Sequence, residues 1–264
     1  MKTVKKVFLF LAVSLIAVGV IIGLVALIYL NFDFNKLSSN DYTFVTTNVE
    51  ESFENIDITA IDGNVNIEHS SDNTCKVICG ENKIITHKVT VENDTLCVKY
   101  SGNDKWYKRF GLYWNEKNEV TVLLPENEYK KLNVTAQSGN INVSENFAFS
   151  DSQMSLKSGN ITLNNVKFSN GLDVKTKSGN INLNSVYCKT LTADAISGNI
   201  NLNSFDADEI TATAKSGNIF GQLLSEKVFI TETKSGDIKV PESLDGGKCK
   251  ATTKSGNIEF EIVK

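Results

Sequence analysis

The second half of the sequence repeats the tetrapeptide Ser-Gly-Asn-Ile at an almost constant spacing. Six identical copies, and one copy with Asp in place of Asn, begin 19 or 20 residues apart. A fixed period of about 20 residues is typical of a stacked repeat, in which each unit buries its apolar face against its neighbours. The repeat therefore constrains the fold more than any other feature of the chain. The copies begin at Ser138, Ser158, Ser178, Ser197, Ser216, Ser235 and Ser255.

Apolar or small residues alternate with polar ones on both sides of each tetrapeptide. In the third copy, Leu172, Val174 and Thr176 precede the tetrapeptide, and Ile181 and Leu183 occupy alternate positions after its Asn. A period of two predicts strands and not helices. The glycine lies where two strands meet, so it is expected to supply a turn conformation closed to residues with a Cβ. These turn glycines are Gly139, Gly159, Gly179, Gly198, Gly217, Gly236 and Gly256.

The predicted fold is all-β: a β-solenoid of about seven 19–20-residue rungs over residues 131–264. Each rung is expected to run from a strand through the Ser-Gly-Asn corner to a second strand, and to return past a residue such as Val166. Stacked rungs would let the asparagine amides hydrogen-bond along their column. Residues 258–262 carry alternating Glu and are predicted to form the final edge strand. Charge there discourages edge pairing, although a partner strand could dock.

The N-terminal segment predicts a single transmembrane helix. Residues 7–30 are 24 uncharged residues, long enough at ~1.5 Å per residue to cross a hydrocarbon core of roughly 30 Å and longer than a signal-peptide core. Residues 1–6 are predicted to be a cytoplasmic tail, because positive charge stays inside, and the remainder is placed outside the cell. Gly19 and Gly23 could support a homodimer, although Gly is common in such spans. The preceding positive residues are Lys2, Lys5 and Lys6.

Two further regions lie between this helix and the repeat. Residues 31–47 are polar and weakly patterned, which suggests a short stalk. Residues 48–130 contain short alternating segments and are predicted to form an N-terminal β region that covers the first rung of the solenoid. Within it, Asp62-Gly-Asn64 looks like a degenerate copy of the repeat, and residues 92–95 suit a tight turn between two strands.

The sequence gives little support for a metal site or for a disulfide bond. Calcium-binding nonapeptide rolls need a doubled Gly and a recurrent Asp, whereas this repeat has one Gly and almost always Asn. The five cysteines include no C-x-x-C pair, so no zinc site is expected. A bridge from Cys97 to Cys75 or Cys79 is conceivable outside the cytoplasm, but spacing cannot establish it. Cys188 and Cys249 fall on inward repeat positions and are predicted to be buried.

Two sequence patterns suggest a known family. The first is the tetrapeptide preceded by an alternating Lys/Thr strand, as in Val174-Lys-Thr-Lys-Ser-Gly-Asn-Ile181, and the second is the segment Val120-Thr-Val-Leu-Leu-Pro125 followed by Leu132-Asn-Val-Thr. They resemble the bacterial putative-adhesin family of membrane-anchored β-strand-repeat proteins, a domain family of largely unknown function. The resemblance covers roughly residues 50–264. It implies an extracytoplasmic β-solenoid, with some relatives implicated in envelope stress responses, and it brings no catalytic residues.

The residue inventory argues against an enzyme. The two histidines, His69 and His87, are not tied by spacing to a nucleophile, and the carboxylates form no column along the repeat. Each Ser-Gly-Asn precedes a strand and not a helix, so no phosphate-binding loop is present. We therefore expect neither catalysis nor a cofactor, and no nucleic-acid partner.

Lysines one residue before the tetrapeptide form the first candidate surface, called here the lysine column. Stacked about 5 Å apart, their charges would repel by a few tenths to ~1 kcal/mol per pair in water, which favours an anionic partner such as wall teichoic acid, a phospholipid surface or an acidic polysaccharide. The alternative is that these side chains only keep the surface soluble. Gln137 starts the column and Ile196 interrupts it. Its members are Lys157, Lys177, Lys215, Lys234 and Lys254.

A second candidate surface is the aromatic segment, residues 105–114, which holds both tryptophans of the chain. Aromatic and basic residues together suit a headgroup region or a partner contact, or else a hairpin that packs over the solenoid end. Outward Asn and Thr of the repeat form a polar strip that could bind sugar, but with no aromatic platform beside it a solvated face is the simpler interpretation. The candidate contacts of the segment are Trp106, Tyr107, Lys108, Arg109, Phe110, Tyr113 and Trp114.

The sequence thus predicts a membrane-anchored extracytoplasmic β-solenoid that acts as a binding, adhesion or scaffolding module of a bacterial cell envelope. An envelope-stress sensor or regulator is the alternative; with only six cytoplasmic residues it would need a membrane partner. A polysaccharide-active enzyme is a distant third, which a carboxylate cluster across rungs would revive.

Overall fold

The computed structural model describes residues 2–29, 42–82, 85–102, 118–144 and 146–263. The chain divides into two units, one containing the helix α1 and the other containing every described strand. Helix α1 spans Lys2–Tyr29, and its part Phe10–Tyr29 is long and apolar enough to cross a membrane, a test that signal sequences also pass. Gly19 and Gly23 lie on this helix with no atom within 4 Å of an added Cβ.

Strands before the repeat make up the first third of the β unit. They are β1 (Thr43–Val49), β2 (Asn55–Ala60), β3 (Asn64–His69), β4 (Cys75–Glu81), β5 (His87–Glu92), β6 (Thr95–Tyr100) and β7 (Glu119–Leu124). Strand β1 starts inside the segment predicted as a stalk and pairs antiparallel with β4. As an edge strand it shows no clear alternation of burial, so its sequence carries no strand pattern.

The repeat region supplies the remaining described strands. They are β8 (Glu128–Ser138), β9 (Ile141–Val143), β10 (Ala148–Ser158), β11 (Ile161–Asn164), β12 (Lys167–Phe168), β13 (Gly171–Ser178), β14 (Ile181–Asn184), β15 (Tyr187–Ser197), β16 (Ile200–Ser216), β17 (Ile219–Leu223), β18 (Lys227–Thr233), β19 (Ile238–Lys239), β20 (Gly247–Ser255) and β21 (Ile258–Ile262).

Strands of neighbouring repeats pair in parallel, with equivalent positions opposite each other. Ser158 lies opposite Ser178, and Ser178 lies opposite Ser197. Strands after the turn form the first sheet and strands before it form the second sheet, and the long β16 contributes to both. The first sheet runs β1, β4, β7, β3, β9, β11, β14, β16, β17, β21, β19. The second sheet runs β5, β6, β2, β8, β10, β13, β15, β16, β20, β18.

Inward side chains of both sheets form one core, as the period-two pattern requires. The isoleucine of the tetrapeptide is fully buried in every copy except the sixth. Small residues such as Ala193 and Ala212 fill the corresponding positions of the second sheet. The returns between repeats bury Val166, Val186 and Phe205 completely. Burial of an aliphatic or aromatic side chain of this size contributes about 1.5–3 kcal/mol, so these columns supply much of the stability.

The turn glycines bring successive backbones into direct contact. All seven have positive φ, from 99° to 154°. A Cβ on any of them would lie 1.7–2.1 Å from the carbonyl oxygen of the glycine in the neighbouring turn. The asparagines that follow the glycines were expected to hydrogen-bond to one another through their side-chain amides. Instead, the side-chain oxygen of each accepts a hydrogen bond from the backbone N–H of the asparagine in the next turn; for example, Asn199 N–H donates to Asn180 Oδ1 at 2.8 Å.

The spatial order of the last two repeats differs from their sequence order. Strand β21 lies between β17 and β19, and β20 lies between β16 and β18. The prediction that residues 258–262 form the edge strand was therefore wrong. The edge is formed by β18 and β19, where Ile238 of the sixth copy is 44% exposed, because no further repeat covers it. Asp237, the one replacement of Asn, occupies this terminal turn and has a neighbour on one side only.

The same displacement occurs at the N-terminal end. Strand β2 lies between β6 and β8, and β3 lies between β7 and β9, so the first repeat-like pair is inside the stack. Its turn glycine, Gly63, has φ 98° and contacts Gly139 as the other turn glycines contact one another. Strands β5 and β6 form a hairpin whose tight turn has positive φ at Asn93 and Asp94.

Replacing a turn glycine by alanine is expected to destabilise the β unit. In Gly179→Ala the Cβ would meet the Gly159 carbonyl oxygen at 2.0 Å in a backbone region that L-residues rarely adopt. We expect the free energy of unfolding to fall by about 2–5 kcal/mol, measured by urea denaturation of the full-length protein in detergent.

Gly171→Ala is the matched control, since its Cβ would meet only side-chain atoms, at 3.3 Å, and its φ is not positive. A loss below about 1 kcal/mol is expected there, because those side chains can move. Equal destabilisation by both substitutions would contradict the role assigned to the turn.

Candidate binding surfaces

The five lysines of the lysine column are all exposed on the outer side of the second sheet. Register places Lys157 beside Lys177, and it places Lys254 between Lys215 and Lys234, in an order that the sequence does not show. Neighbouring strands lie about 4.8 Å apart. Among the residues that the structure describes, none of the five forms an ion pair. The column therefore presents unneutralised charges in a line.

A neighbouring lysine outside the column, Lys175, is neutralised by a carboxylate. Lys175 lies two residues before Lys177 on the same side of β13, but its Nζ contacts Asp173 at 2.9 Å. The hydrogen bond to Asp173 raises the pKa of Lys175. No such carboxylate contacts Lys177 in the described residues. The free charges are therefore a property of the column and not of every lysine on this sheet.

Two lysines that the sequence reasoning missed extend the charge along β20. Lys248 and Lys250 alternate with the buried Cys249 and Ala251, so they lie on the same outer side as Lys254. Their signal in the sequence was the period-two alternation alone, since neither precedes a tetrapeptide. The end of the column near β20 is thus broader than one row.

The aromatic segment, with Trp106, Tyr107, Lys108, Arg109, Phe110, Tyr113 and Trp114, lies outside the described residues. Its assignment as a membrane or partner contact stays a prediction.

The outer side of the first sheet carries hydrogen-bonded amide rows. Asn201 Nδ2 donates to Asn182 Oδ1 at 2.8 Å, and Asn203 Nδ2 donates to Asn184 Oδ1 at 2.8 Å. The sequence analysis expected no aromatic residue beside this strip. The structure places one there, because Phe220 lies opposite Asn201 in the register of β16 and β17. It occupies the same repeat position as the asparagines, which was the available signal.

A cleft of about 630 Å³ lies beside β1 and β4 and is lined in part by Phe53, Asp72, Lys76 and Tyr129. Asp72 accepts hydrogen bonds from Ser70, from Thr74 and from Lys76, and these bonds hold the pKa of its carboxyl well below the usual range. Its charge is therefore satisfied within the protein. The two aromatic rings are buried and stack on each other 6.0 Å apart, so neither forms an open platform.

The histidines and cysteines of the described residues are packed against other side chains or buried. His69 stacks on Phe147 with ring centroids 3.9 Å apart. The side chain of His87 is 2% exposed, and burial lowers its pKa although Glu81 acts in the opposite direction. Burial raises the pKa of Cys75 to about 11 and that of Cys79 to about 12. Within the described ranges no group of three His, Cys, Asp or Glu side chains could hold a metal ion.

All five cysteines are free thiols, including the Cys97 that spacing alone left as a possible disulfide partner. Cys249 is buried in the core as predicted, whereas Cys188 is only partly buried against it; desolvation raises the pKa of each thiol to about 12. A protonated thiol is a poor nucleophile, so these cysteines suit packing and not catalysis.

The family of the chain follows from comparison with known proteins. The model of the Toastrack DUF4097 family matches residues 53–264, which is most of the sequence. The chain therefore belongs to the Toastrack DUF4097 family. No curated protein matches it significantly.

Several solved structures are similar to the chain. A putative adhesin from Bacteroides fragilis NCTC 9343 has 17% identity and a TM-score of 0.50, with 83% of this chain and 97% of that chain covered. A putative adhesin from Parabacteroides distasonis ATCC 8503 has 13% identity and a TM-score of 0.47, with coverages of 84% and 98%. A putative lipid binding protein from the same strain has 16% identity and a TM-score of 0.43, with coverages of 84% and 97%. At these identities the likeness concerns the fold alone.

The free thiols give a direct test. In denaturant without reductant, all five cysteines are expected to react with Ellman's reagent, because none is bridged. In the native protein at pH 8, Cys75, Cys79, Cys188 and Cys249 should react far more slowly, since burial keeps them protonated. Only three reactive thiols in denaturant would reveal a disulfide and contradict the structure.

Proposed function

We propose that the chain is a non-catalytic binding module of a bacterial cell envelope, held at the membrane by α1. The length of α1 suits a single-pass anchor, and the lysines at its start favour a cytoplasmic N-terminus with the β unit outside the cell. The adhesin names of similar structures are compatible with a binding role.

We further propose that the β unit is a β-solenoid with one tetrapeptide turn per rung. The parallel register of equivalent residues and the continuous column of glycine turns support this architecture. The turn at Gly63 would add one rung to the seven that carry the tetrapeptide. Strands β1, β4, β5, β6 and β7, from the N-terminal β region, would cap one end.

The lysine column is the observation that carries the proposed function. Its side chains are exposed and unpaired, and the rigid parallel sheet fixes their spacing. Holding like charges about 5 Å apart costs free energy that a bound polyanion would recover. We assign the column to an anionic envelope polymer of the wall teichoic acid type, whose regularly spaced phosphates match a row of point charges.

Two predicted contacts complete the proposal. The aromatic segment, residues 105–114, would contact the membrane headgroups or a partner protein. Gly19 and Gly23 would allow a second helix to approach α1, either in a homodimer or in a complex with another membrane protein.

The lysine column is tested by replacing Lys157, Lys177, Lys215, Lys234 and Lys254 together with Gln. We expect the full-length protein in detergent to bind purified wall teichoic acid at least tenfold more weakly after this change. A lysine near an anionic surface contributes about 1 kcal/mol, and five such contacts exceed that threshold. Co-sedimentation at several salt concentrations measures the effect, and the variant should also lose salt dependence.

A control variant with the same net charge separates the column from general positive charge. It carries Gln at five other exposed lysines, and it should bind as the unmodified protein does. Equal loss in both variants, or no loss in the first, would contradict the proposal. The control replaces Lys88, Lys99, Lys131, Lys167 and Lys189.

Crosslinking of the full-length protein in its native membrane distinguishes the alternative function. Capture of the envelope polymer, dependent on the lysine column, supports the binding module. Capture of one specific membrane protein, unaffected by the column variant, would instead favour a sensor that acts through that partner.

A further inference from the structure

The outer side of the first sheet differs in chemistry from the lysine column. Strand β11, strand β14 and the first part of β16, residues 200–203, direct outward only amides and one hydroxyl, with no charged group. Their outward residues are Thr162, Asn164, Asn182, Asn184, Asn201 and Asn203. This surface has no electrostatic preference for a polyanion, and it offers donors and acceptors at the regular spacing of the strands.

The hydrogen-bonded asparagine side chains on this surface leave two acceptor oxygens without a donor among the described residues, at the end of their rows on β16. Each row runs from the Nδ2 of one asparagine to the Oδ1 of the preceding repeat, and the rows end at Asn201 and Asn203. The Oδ1 atoms of these two residues accept no hydrogen bond within the described part of the chain. On the next strand, Gln222 turns its Nε2 away, toward Glu261 Oε1 at 2.7 Å.

An aromatic ring lies at the same interruption. Phe220 is opposite Asn201 in register and is partly exposed on the outer side of β17, between the buried Ile219 and Gly221. Every other repeat places an amide, a hydroxyl or a charged residue at this position. The ring and the two open carbonyl oxygens therefore form one feature that the repeat does not require.

We propose that Asn201, Asn203 and Phe220 form a binding site for a neutral, N-acetylated glycan chain. The open oxygens need donors, and an acetamido N–H continues an amide row as the next asparagine would. The C–H face of a sugar ring packs on an exposed aromatic ring. On the adjacent β21, Glu259 is neutralised by Lys239 at 2.6 Å, and the exposed Glu261 forms no ion pair within the described residues. The charge beside the site therefore does not favour an anionic ligand and matches a neutral one.

This site is separate from the lysine column and does not rest on it. The two surfaces lie on different sheets, and their ligands differ in charge. A single extended β unit could thus hold two polymers of one envelope at once.

Titration of the full-length protein in detergent with the soluble hexamer of β-1,4-linked N-acetylglucosamine tests the site. We expect binding, and we expect Phe220→Ala to weaken it about tenfold, the value of one aromatic stacking contact. Phe220→Tyr should retain the affinity. Cellohexaose, which has the same linkage but hydroxyls in place of acetamido groups, should bind more weakly because the amide rows lose their donor.

Tyr187→Ala is the matched control, because Tyr187 is an exposed aromatic residue of the second sheet, 40% exposed. It should bind the N-acetylglucosamine hexamer as the unmodified protein does, and so should the five-lysine variant. No binding by the unmodified protein, or equal binding by Phe220→Ala, would overturn the proposal. Equal affinity for cellohexaose would overturn the assignment to N-acetylated chains. Thermal unfolding of each variant excludes a loss that is due to misfolding.

Discussion

The close approach of backbones at the glycine turns is the constraint on which the rest of the β unit depends. Each turn glycine packs its Cα against the carbonyl of the next, at a distance that leaves no room for a Cβ. The asparagine oxygen then accepts the adjacent backbone N–H, which would otherwise be unpaired at the corner. Together these contacts set the register between repeats. Isoleucine therefore stacks on isoleucine, and the inward side chains of neighbouring repeats meet in the core.

The position of the C-terminal repeat inside the stack has consequences for stability and composition. Strand β20 is hydrogen-bonded on both sides, so the C-terminal repeat cannot fray as an edge strand would. The sixth repeat becomes the exposed end, and it alone carries Asp237 and a half-exposed Ile238. Inside the column each asparagine oxygen accepts the backbone N–H of the next turn, whereas at the end no further turn within the described residues offers such an N–H to Asp237. The irregular copy is thus explained by its place in space and not by its place in sequence.

The all-β class, the strand alternation and the glycine corner could be predicted because each depends on residues close together in sequence. The order of the repeats could not, since every repeat offers the same strands and the same turn to every other. No local pattern distinguishes Ser216 beside Ser255, as observed, from Ser216 beside Ser235, as the sequence order would suggest. For the same reason the lysine column was predicted residue by residue but in the wrong spatial order. Phe220 was missed because its repeat position holds a polar or charged residue in every other copy.

The repeat separates stability from recognition. The turn glycine and the isoleucine are invariant among the repeats of this chain, and the other inward positions remain apolar or small, because a change there affects the neighbours on both sides. Outward positions are free to differ, as the change from Asn201 to Phe220 and from Lys177 to Ile196 illustrates. A single exposed lysine contributes little to binding, but a row with fixed spacing lets one bound unit of a polymer raise the effective concentration of the next. A stack of parallel strands is therefore suited to long, repetitive ligands, whose affinity grows with the number of repeats engaged.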